Sequence, residues 1–255
     1  MIERWLLALA TALAAIAAIN AWRSLTSGQR SKATLPILAI TCLLQLMTLG
    51  VRGEMVGACP LSEPGEILVY TAWSAVLCYL IVGPTYRVSL LGLFTAPLVV
   101  ILQLLALIPG LMSLNPPRVE TTTGWGESHA ALSVLAFGAL ALSAVSGSMY
   151  LILDHMLKNK KFSSDLFKNL PSISLLIESI KRLSLVGVIV LTGGIIAGFL
   201  APNFDLNKHI WIAGFVWLAY TVFILWSHLR GMPPYFLAWI SVILFCLSFA
   251  AFGII

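Results

Sequence analysis

The stretch HAALSVLAFGALALSAVSGSMYLILDH, residues 129–155, decides the fold class. Between His129 and Asp154 it carries 24 residues and no charge. As a helix rising ~1.5 Å per residue, those residues cover roughly 36 Å, more than the ~30 Å of a bilayer's hydrocarbon core. The stretch therefore predicts a helix that crosses a membrane.

The rest of the chain has the same character. Apolar residues make up 60% of its 255 residues and charged residues 10%, whereas charged residues are about a quarter of a typical soluble domain. These values predict an all-α, polytopic integral membrane protein with about eight transmembrane helices. The predicted spans are Trp5–Trp22, Leu35–Val51, Ile67–Val82, Val88–Ile108, Ala130–Leu153, Ser184–Ala201, Ile210–Leu229 and Tyr235–Ile255.

The lysines and arginines predict the orientation, because these residues are retained on the cytoplasmic side. With the N-terminus outside, eleven of them lie in inner loops and four in outer positions, Arg4, Arg52, Arg118 and Lys208. Glu3 and Glu66 are assigned to the outer side as well, and no helix is expected to hold a chain of buried carboxylates. That expectation disfavours an ion-coupled permease. The net charge of +5 arises from the excess of lysines and arginines in the inner loops, so no nucleic-acid partner is expected.

The chain is predicted to form a single membrane domain, residues 1–255. It divides into a four-helix half at 1–108, a histidine-containing region at 124–231 and a last helix at 232–255. Before the sixth span, LPSISLLIESIKRL (residues 170–183) has apolar residues at helical spacing. Two interpretations stay open for this segment: an amphipathic helix lying at the inner interface, or a docking surface for a cytoplasmic partner.

Four histidines mark the ends of the fifth and seventh spans. His129 and His209 approach the outer surface, and His155 and His228 approach the inner one. If the two helices are neighbours, His129 and His209 supply two axial imidazoles to a haem iron, with His155 and His228 as an analogous inner pair. The alternative is that these histidines are interfacial residues without a ligand.

Further residues are candidates to support an outer haem. Aromatic walls would come from Trp125 and Trp211, and partners for the haem propionates from Arg118 and Lys208. The second ring nitrogen of a ligating histidine needs a carboxylate or carbonyl partner, for which Glu127 and Asp205 are considered. Gly194 and Gly198 predict close packing between helices.

Three stretches in the second half resemble the cytochrome c assembly protein family, haem-handling membrane proteins that include HemX-like members. They are GWGESHAALSVLAFGALALSAVSGSMYLILDHMLKNKKF (124–162), LPSISLLIESIKRLSLVGVIVLTGGIIAG (170–198) and NKHIWIAGFVWLAYTVFILWSHLRG (207–231). By this resemblance His129 matches the family's outer haem-ligating histidine and His228 its transmembrane histidine. His209 has no family counterpart and remains a candidate on geometry alone.

One departure from the family is that APNFDLNKHIW (residues 201–211) replaces the tryptophan-rich outer segment of haem-presenting members. The resemblance is therefore nearest to the HemX-like branch. It implies a non-enzymatic protein of the bacterial inner membrane that binds b-type haem in cytochrome c assembly or in regulation of haem biogenesis. The partners it implies are membrane lipids, haem and cytochrome assembly proteins. The alternative is a haem-free interaction protein that docks a cytoplasmic partner through its basic inner loop.

Overall fold

The structure is a computed structural model that describes residues 2–27, 33–57, 59–61, 63–85, 91–112, 123–159, 172–201 and 208–253. These residues form helices and no strand. The helices are α1 (Ile2–Ser27), α2 (Thr34–Val56), α3 (Pro64–Thr85), α4 (Leu91–Ala106), α5 (Gly124–Lys158), α6 (Ile173–Phe199), α7 (Lys208–Trp226) and α8 (Pro234–Gly253). A π-helical turn, Ser227–Gly231, extends α7.

The predicted all-α, polytopic membrane fold is confirmed. Seven of the described helices are long and apolar enough to cross a membrane, whereas α4 has only 16 described residues. The predicted fourth span starts at Val88, and residues 86–90 lie outside the described part of the chain. The eight predicted spans thus correspond to seven helices of membrane-spanning length together with α4.

Successive helices run up and down between two faces. The first face, called the Arg52 face, holds the start of α1, the end of α2 and the start of α3, because Arg52 contacts Glu3 and Glu66 there. The opposite face is called the Lys158 face. There the Lys158 ammonium at the end of α5 lies 4.7 Å from the ring centroid of Tyr235 at the start of α8. The placement of the Arg52 face outside remains a prediction.

Helix α5 is at the centre of the molecule. It packs against α3, α4, α6 and α8, while α1 to α4 pack against one another as a bundle. Small residues allow these close approaches. A Cβ added at Gly138 would lie 2.6 Å from the Ser74 backbone on α3, and one added at Gly147 would lie 2.9 Å from the Ala238 carbonyl oxygen on α8.

The amphipathic segment before the sixth span is not a separate interfacial helix. From Ile173 onward it is the first part of α6, which continues to Phe199. Leu176 and Ile180 are buried in the core, and the Ser143 hydroxyl on α5 donates to the Ile180 carbonyl at 3.2 Å. The apolar stripe therefore faces the core of this chain, where it is unavailable to a cytoplasmic partner.

Candidate functional site

His129 lies in the second turn of α5, at the Arg52 face, and its imidazole is partly buried. Its Nδ1 is 2.7 Å from the backbone carbonyl oxygen of Gly194 on α6. A carbonyl oxygen only accepts hydrogen bonds, so Nδ1 carries the proton and donates. Nε2 is then the ring nitrogen with the free electron pair. Metal-ligating histidines in proteins have this arrangement, with one nitrogen anchored to a carbonyl and the other turned to the metal.

Two glycines of α6 make room for this imidazole. A Cβ added at Gly198 would lie 2.8 Å from His129 Nδ1, and one at Gly194 would lie 3.4 Å from the His129 carbonyl oxygen. At Gly193, which directly precedes Gly194, an added Cβ would meet only a Leu132 methyl at 3.8 Å. The prediction of close helix packing therefore describes part of their role, since Gly198 also seats the histidine ring.

The expected carboxylate partner of His129 is not what the structure places there. The Gly194 carbonyl takes that position instead of Glu127, and Asp205 lies outside the described residues. Trp125 precedes His129 by four residues on α5, so the two side chains share one helix face. The Trp125 ring is exposed.

His228 lies at the other end of the molecule, in the π-helical turn after α7. Its Nδ1 is 3.0 Å from the Ile224 carbonyl oxygen, so Nδ1 donates and Nε2 is free, as in His129. The side chain is exposed. Short π-helical turns within helices are often found at functional sites.

His129 and His228 cannot share an iron. The Trp217 indole donates to the Thr192 hydroxyl at 2.8 Å, which fixes Trp217 near the depth of the His129 site. Eleven residues, roughly 16 Å of helix, then separate Trp217 from His228. Any ligand at His228 is therefore separate from one at His129.

The sequence left open whether the fifth and seventh helices are neighbours, and the structure separates them. Helix α7 packs on α6 and α8, and α5 packs along those same two helices, so α6 and α8 lie between α5 and α7. The backbone of Lys208 and His209 begins α7, but their side chains lie outside the described part of the chain, as does all of Arg118. Trp211 is exposed near the same end of α7. Coordination by His209 and the supporting roles of these residues stay predictions.

His155 differs from the other two described histidines. It is exposed near the end of α5, and its Nε2 is 2.9 Å from the side-chain amide nitrogen of Asn159. The amide nitrogen donates, so the Nε2 electron pair is engaged. His155 is consequently the matched control for His129 on the same helix.

The donor set at His129 suits a haem better than a bare metal ion. Among the described residues, no group of three or more His, Cys, Asp or Glu side chains could hold a metal ion. A structural zinc site needs four protein ligands, whereas a haem iron needs one or two axial ones. A single oriented imidazole at an apolar helix boundary fits the second requirement.

A buried ion cluster at the Arg52 face was missed by the sequence reasoning. Arg52 Nε lies 2.6 Å from a Glu66 carboxylate oxygen, and Arg52 Nη1 lies 3.4 Å from both carboxylate oxygens of Glu3. These side chains are only 1%, 1% and 3% exposed for Arg52, Glu66 and Glu3 respectively. The sequence assigned Glu3 and Glu66 to the outer side without predicting their burial, and the structure buries both of them near the first turns of α1 and α3.

The Glu66 side chain also caps its own helix. Its second oxygen accepts from the Glu63 backbone N–H at 3.1 Å, the reciprocal half of a capping box, and Pro64 occupies the first helical position. The spacing of Glu63, Pro64 and Glu66 was the available sequence signal for a helix start here. On hydropathy alone, the segment is assigned to an outer loop.

The three stretches that carry the family resemblance meet at one segment, Thr192–Gly198 of α6. The first stretch contacts it through His129, which donates to Gly194, and the third through Trp217, which donates to Thr192. Residues that are far apart in sequence thus form one continuous site. The fold and this site define the class: a polytopic, all-α membrane protein with a preoriented histidine near one membrane face.

Several known proteins are similar to the chain, although no family model matches it. It is 25% identical to Protein HemX of Bacillus subtilis (strain 168) over 199 residues, which cover 75% of this chain and 70% of that protein. It is 29% identical to the cytochrome c biogenesis protein CcsA of Nostoc punctiforme over 118 residues, 45% of this chain and 33% of that protein. With CcsA of Chlamydomonas reinhardtii it shares 25% identity over 204 residues, 76% of this chain and 56% of that protein.

These similarities confirm the resemblance to the cytochrome c assembly family and to its HemX-like members. The match to HemX covers 199 residues, so it extends well beyond residues 124–231, where the motifs were recognised. The matches span only a third to a little over half of the two CcsA proteins.

Proposed function

We propose that this protein binds a b-type haem through Nε2 of His129, and that it serves cytochrome c assembly or the regulation of haem biogenesis in a bacterial inner membrane. The observation that carries the proposal is the hydrogen bond from His129 Nδ1 to the Gly194 carbonyl. It fixes the tautomer and the ring plane that an axial ligand requires. The CcsA relatives, named as cytochrome c biogenesis proteins, support the assembly role.

Each described residue of the site has a defined task in this proposal. When bound, the haem would supply an iron that accepts an imidazole nitrogen. His129 would hold that iron, the Gly194 carbonyl would keep the imidazole in place, and Trp125 would border the macrocycle at the membrane boundary. Arg118 and Lys208 stay the candidates to pair with the propionates, whereas α6 and α8 separate the α7 helix of His209 from α5. No catalytic step is required of any of them.

The interaction-protein alternative has less support. It needs an accessible apolar stripe between Lys158 and Arg182, and in α6 that stripe is buried against α5 from Leu176 onward. Residues 160–171, which include most of the basic loop, lie outside the described part of the chain.

Haem titration of the detergent-purified protein, followed by oxidised and reduced absorbance spectra, tests the proposal. The wild-type protein and His155→Ala are expected to show a haem band of equal intensity, and His129→Ala is expected to lose it. His228→Ala is expected to leave the His129-dependent band in place, because His228 lies at the other face. Equal bands in His129→Ala and His155→Ala would refute the assignment.

A further inference from the structure

The bundle of α1 to α4 has a layered interior near the Arg52 face. One apolar layer takes a buried side chain from each of the four helices, namely Leu7, Leu49, Val69 and Ala106. Glu3, Arg52 and Glu66 are each three or four residues from this layer along their helices, on the outer side. The ion cluster therefore lies about one turn outside the apolar layer, which separates it from the interior of the bundle.

Two glutamines lie one turn further inside. Gln45 precedes Leu49 by four residues on α2. Gln103 precedes Ala106 by three residues on α4, which runs towards the Arg52 face as α2 does. Residues three or four apart share one face of a helix, so both glutamines extend from the faces that form the apolar layer. They lie at the same depth, roughly 5–6 Å inside that layer, and both are fully buried.

Neither carboxamide has a hydrogen-bond partner among the described residues. Each has two N–H donors and a carbonyl oxygen that accepts. Burial without partners destabilises the folded state, because the amide loses its bonds to water and gains none. Buried polar groups in proteins are nearly always hydrogen-bonded to protein or to ordered water. Two such amides in one layer therefore point to a partner other than the described side chains.

The surroundings of the two glutamines favour a small, uncharged partner. At this depth α1 contributes Ala10 and Thr11 and α3 contributes Ala72, all of them small and buried. The Thr11 hydroxyl donates to the Leu7 carbonyl at 2.7 Å, and its oxygen can still accept. An ion at this depth would have no counter-charge, because no charged residue occurs in the four apolar runs 5–22, 35–51, 67–85 and 91–106.

We propose that Gln45 and Gln103 form a binding site for buried water at the centre of the α1–α4 bundle. Water is uncharged, and it both donates and accepts, as the two carboxamides require. A buried water typically makes about three hydrogen bonds to polar groups that otherwise lack partners. Helices α2 and α4 each pack on α1 and α3 and touch each other only slightly, so bridging water would join them across the bundle. The site is separate from His129, which contacts α6, and neither proposal depends on the other.

Radiolytic footprinting of the full-length protein in detergent tests the water site. X-ray pulses convert water into hydroxyl radicals, which oxidise the side chains beside it, and mass spectrometry measures the oxidation of each peptide. Cys42 is the reporter, since it is buried and lies three residues before Gln45 on the same face of α2. Met149, which is fully buried in the hydrophobic core, is the control. Relative to its rate in the unfolded protein, Cys42 is expected to be oxidised several-fold faster than Met149.

A double variant removes the proposed ligands of the water. Gln45→Leu combined with Gln103→Leu keeps a similar side-chain volume without polar atoms, and it is expected to lower the oxidation of Cys42 to the level of the control. Thr95→Val is the matched variant. Thr95 is also buried on α4, but its hydroxyl already donates to the Leu91 carbonyl at 2.8 Å. Its replacement is expected to leave the oxidation of Cys42 unchanged.

Two results would overturn the proposal. Equal protection of Cys42 and Met149 in the wild-type protein would mean that the two amides pair with each other directly, and this comparison does not require the double variant to fold. Oxidation of Cys42 that persists in a folded double variant would mean that radicals reach the thiol from outside the bundle.

Discussion

At the scale of the residue, the seat of the His129 imidazole depends on the absence of a side chain at Gly198. An added methyl at that position would lie 2.8 Å from Nδ1, so the ring must move and its bond to the Gly194 carbonyl must weaken. We predict that Gly198→Ala lowers haem occupancy several-fold. The haem-to-protein absorbance ratio after purification measures this effect.

Gly193→Ala is the matched control for that substitution, because an added methyl there meets only the Leu132 side chain at 3.8 Å. Both variants add one methyl to the same helix. If the two variants retained haem equally, Gly198 would be a packing residue with no role in seating His129.

The ion cluster at the Arg52 face gives a prediction about stability. Replacing Arg52 by methionine leaves the buried carboxylates of Glu3 and Glu66 without their cation, and breaking a buried pair in this way typically costs about 3–5 kcal/mol. We predict that Arg52→Met lowers the free energy of unfolding by an amount of that order, measured by denaturant unfolding in detergent. Arg4→Met, at an exposed position of α1, is expected to have little effect; equal losses in the two variants would contradict the account.

The thiol of Cys59 gives a prediction about pH. Burial raises the pKa of Cys59, and the nearby carboxylates of Glu127 and Glu66 raise it further. A raised pKa leaves less of the reactive thiolate at neutral pH. We predict that the alkylation rate of Cys59 reaches its midpoint at a higher pH than that of a free cysteine, and that Glu127→Gln moves the midpoint down.

Mass spectrometry of the labelled Cys59 peptide follows that reaction. A midpoint at the free-thiol value, unchanged by Glu127→Gln, would show that the loop between α2 and α3 does not lie beside the start of α5.

One residue of the site, His129, could be placed from the hydropathy of the sequence. The position of His129 at a membrane boundary follows from the uncharged run after it, and the family motif supported it. The hydrogen-bond partner of His129 could not be predicted from the sequence. Gly194 is 65 residues away and contributes a backbone carbonyl, which no side-chain pattern reveals. Arg52, Glu3 and Glu66 were assigned to the outer side because each lies beyond an apolar run, and their mutual pairing, which buries them, is not visible along the chain.

At the scale of the element, α6 shows how an amphipathic pattern is misread. Its first turns have an apolar face and a polar face that bears Glu178 and Arg182, which form an exposed ion pair. The same pattern is produced by an interfacial helix and by the end of a transmembrane helix whose apolar face meets the core. Only the packing of Leu176 and Ile180 against α5 distinguishes the two.

This difference predicts the effect of two substitutions on one helix. Ile180 is fully buried and Ile173 is 39% exposed. We predict that Ile180→Asp unfolds the protein or lowers its Tm sharply, because it buries a carboxylate without a partner, whereas Ile173→Asp has a small effect. Thermal-unfolding curves in detergent measure the Tm of both variants. Equal Tm values would support the interpretation of this segment as an interfacial helix.

At the scale of the whole molecule, the sequence predicted the spans but not their arrangement. Seven of the predicted apolar runs match long helices, because each run must satisfy its own backbone hydrogen bonds within the bilayer. The central place of α5 depends on glycines that match Ser74 on α3 and Ala238 on α8. Such matches between distant helices are not visible along the chain, and so the sequence left open whether α5 and α7 are neighbours.

The histidines of the molecule lie at both of its faces. The His129 site and the Arg52 ion cluster share one face, and His228 lies towards the other. Any ligands of His129 and of His228 would therefore occupy opposite ends of the same bundle.

Rescue of a His129→Gly variant by free imidazole tests the central claim most directly, because the added imidazole can replace the missing side chain as the axial ligand. We predict that the variant lacks the haem band, that imidazole restores it, and that His155→Gly retains the band without imidazole. A full haem band in His129→Gly without imidazole, or no recovery in a folded variant when imidazole is added, would contradict ligation by His129.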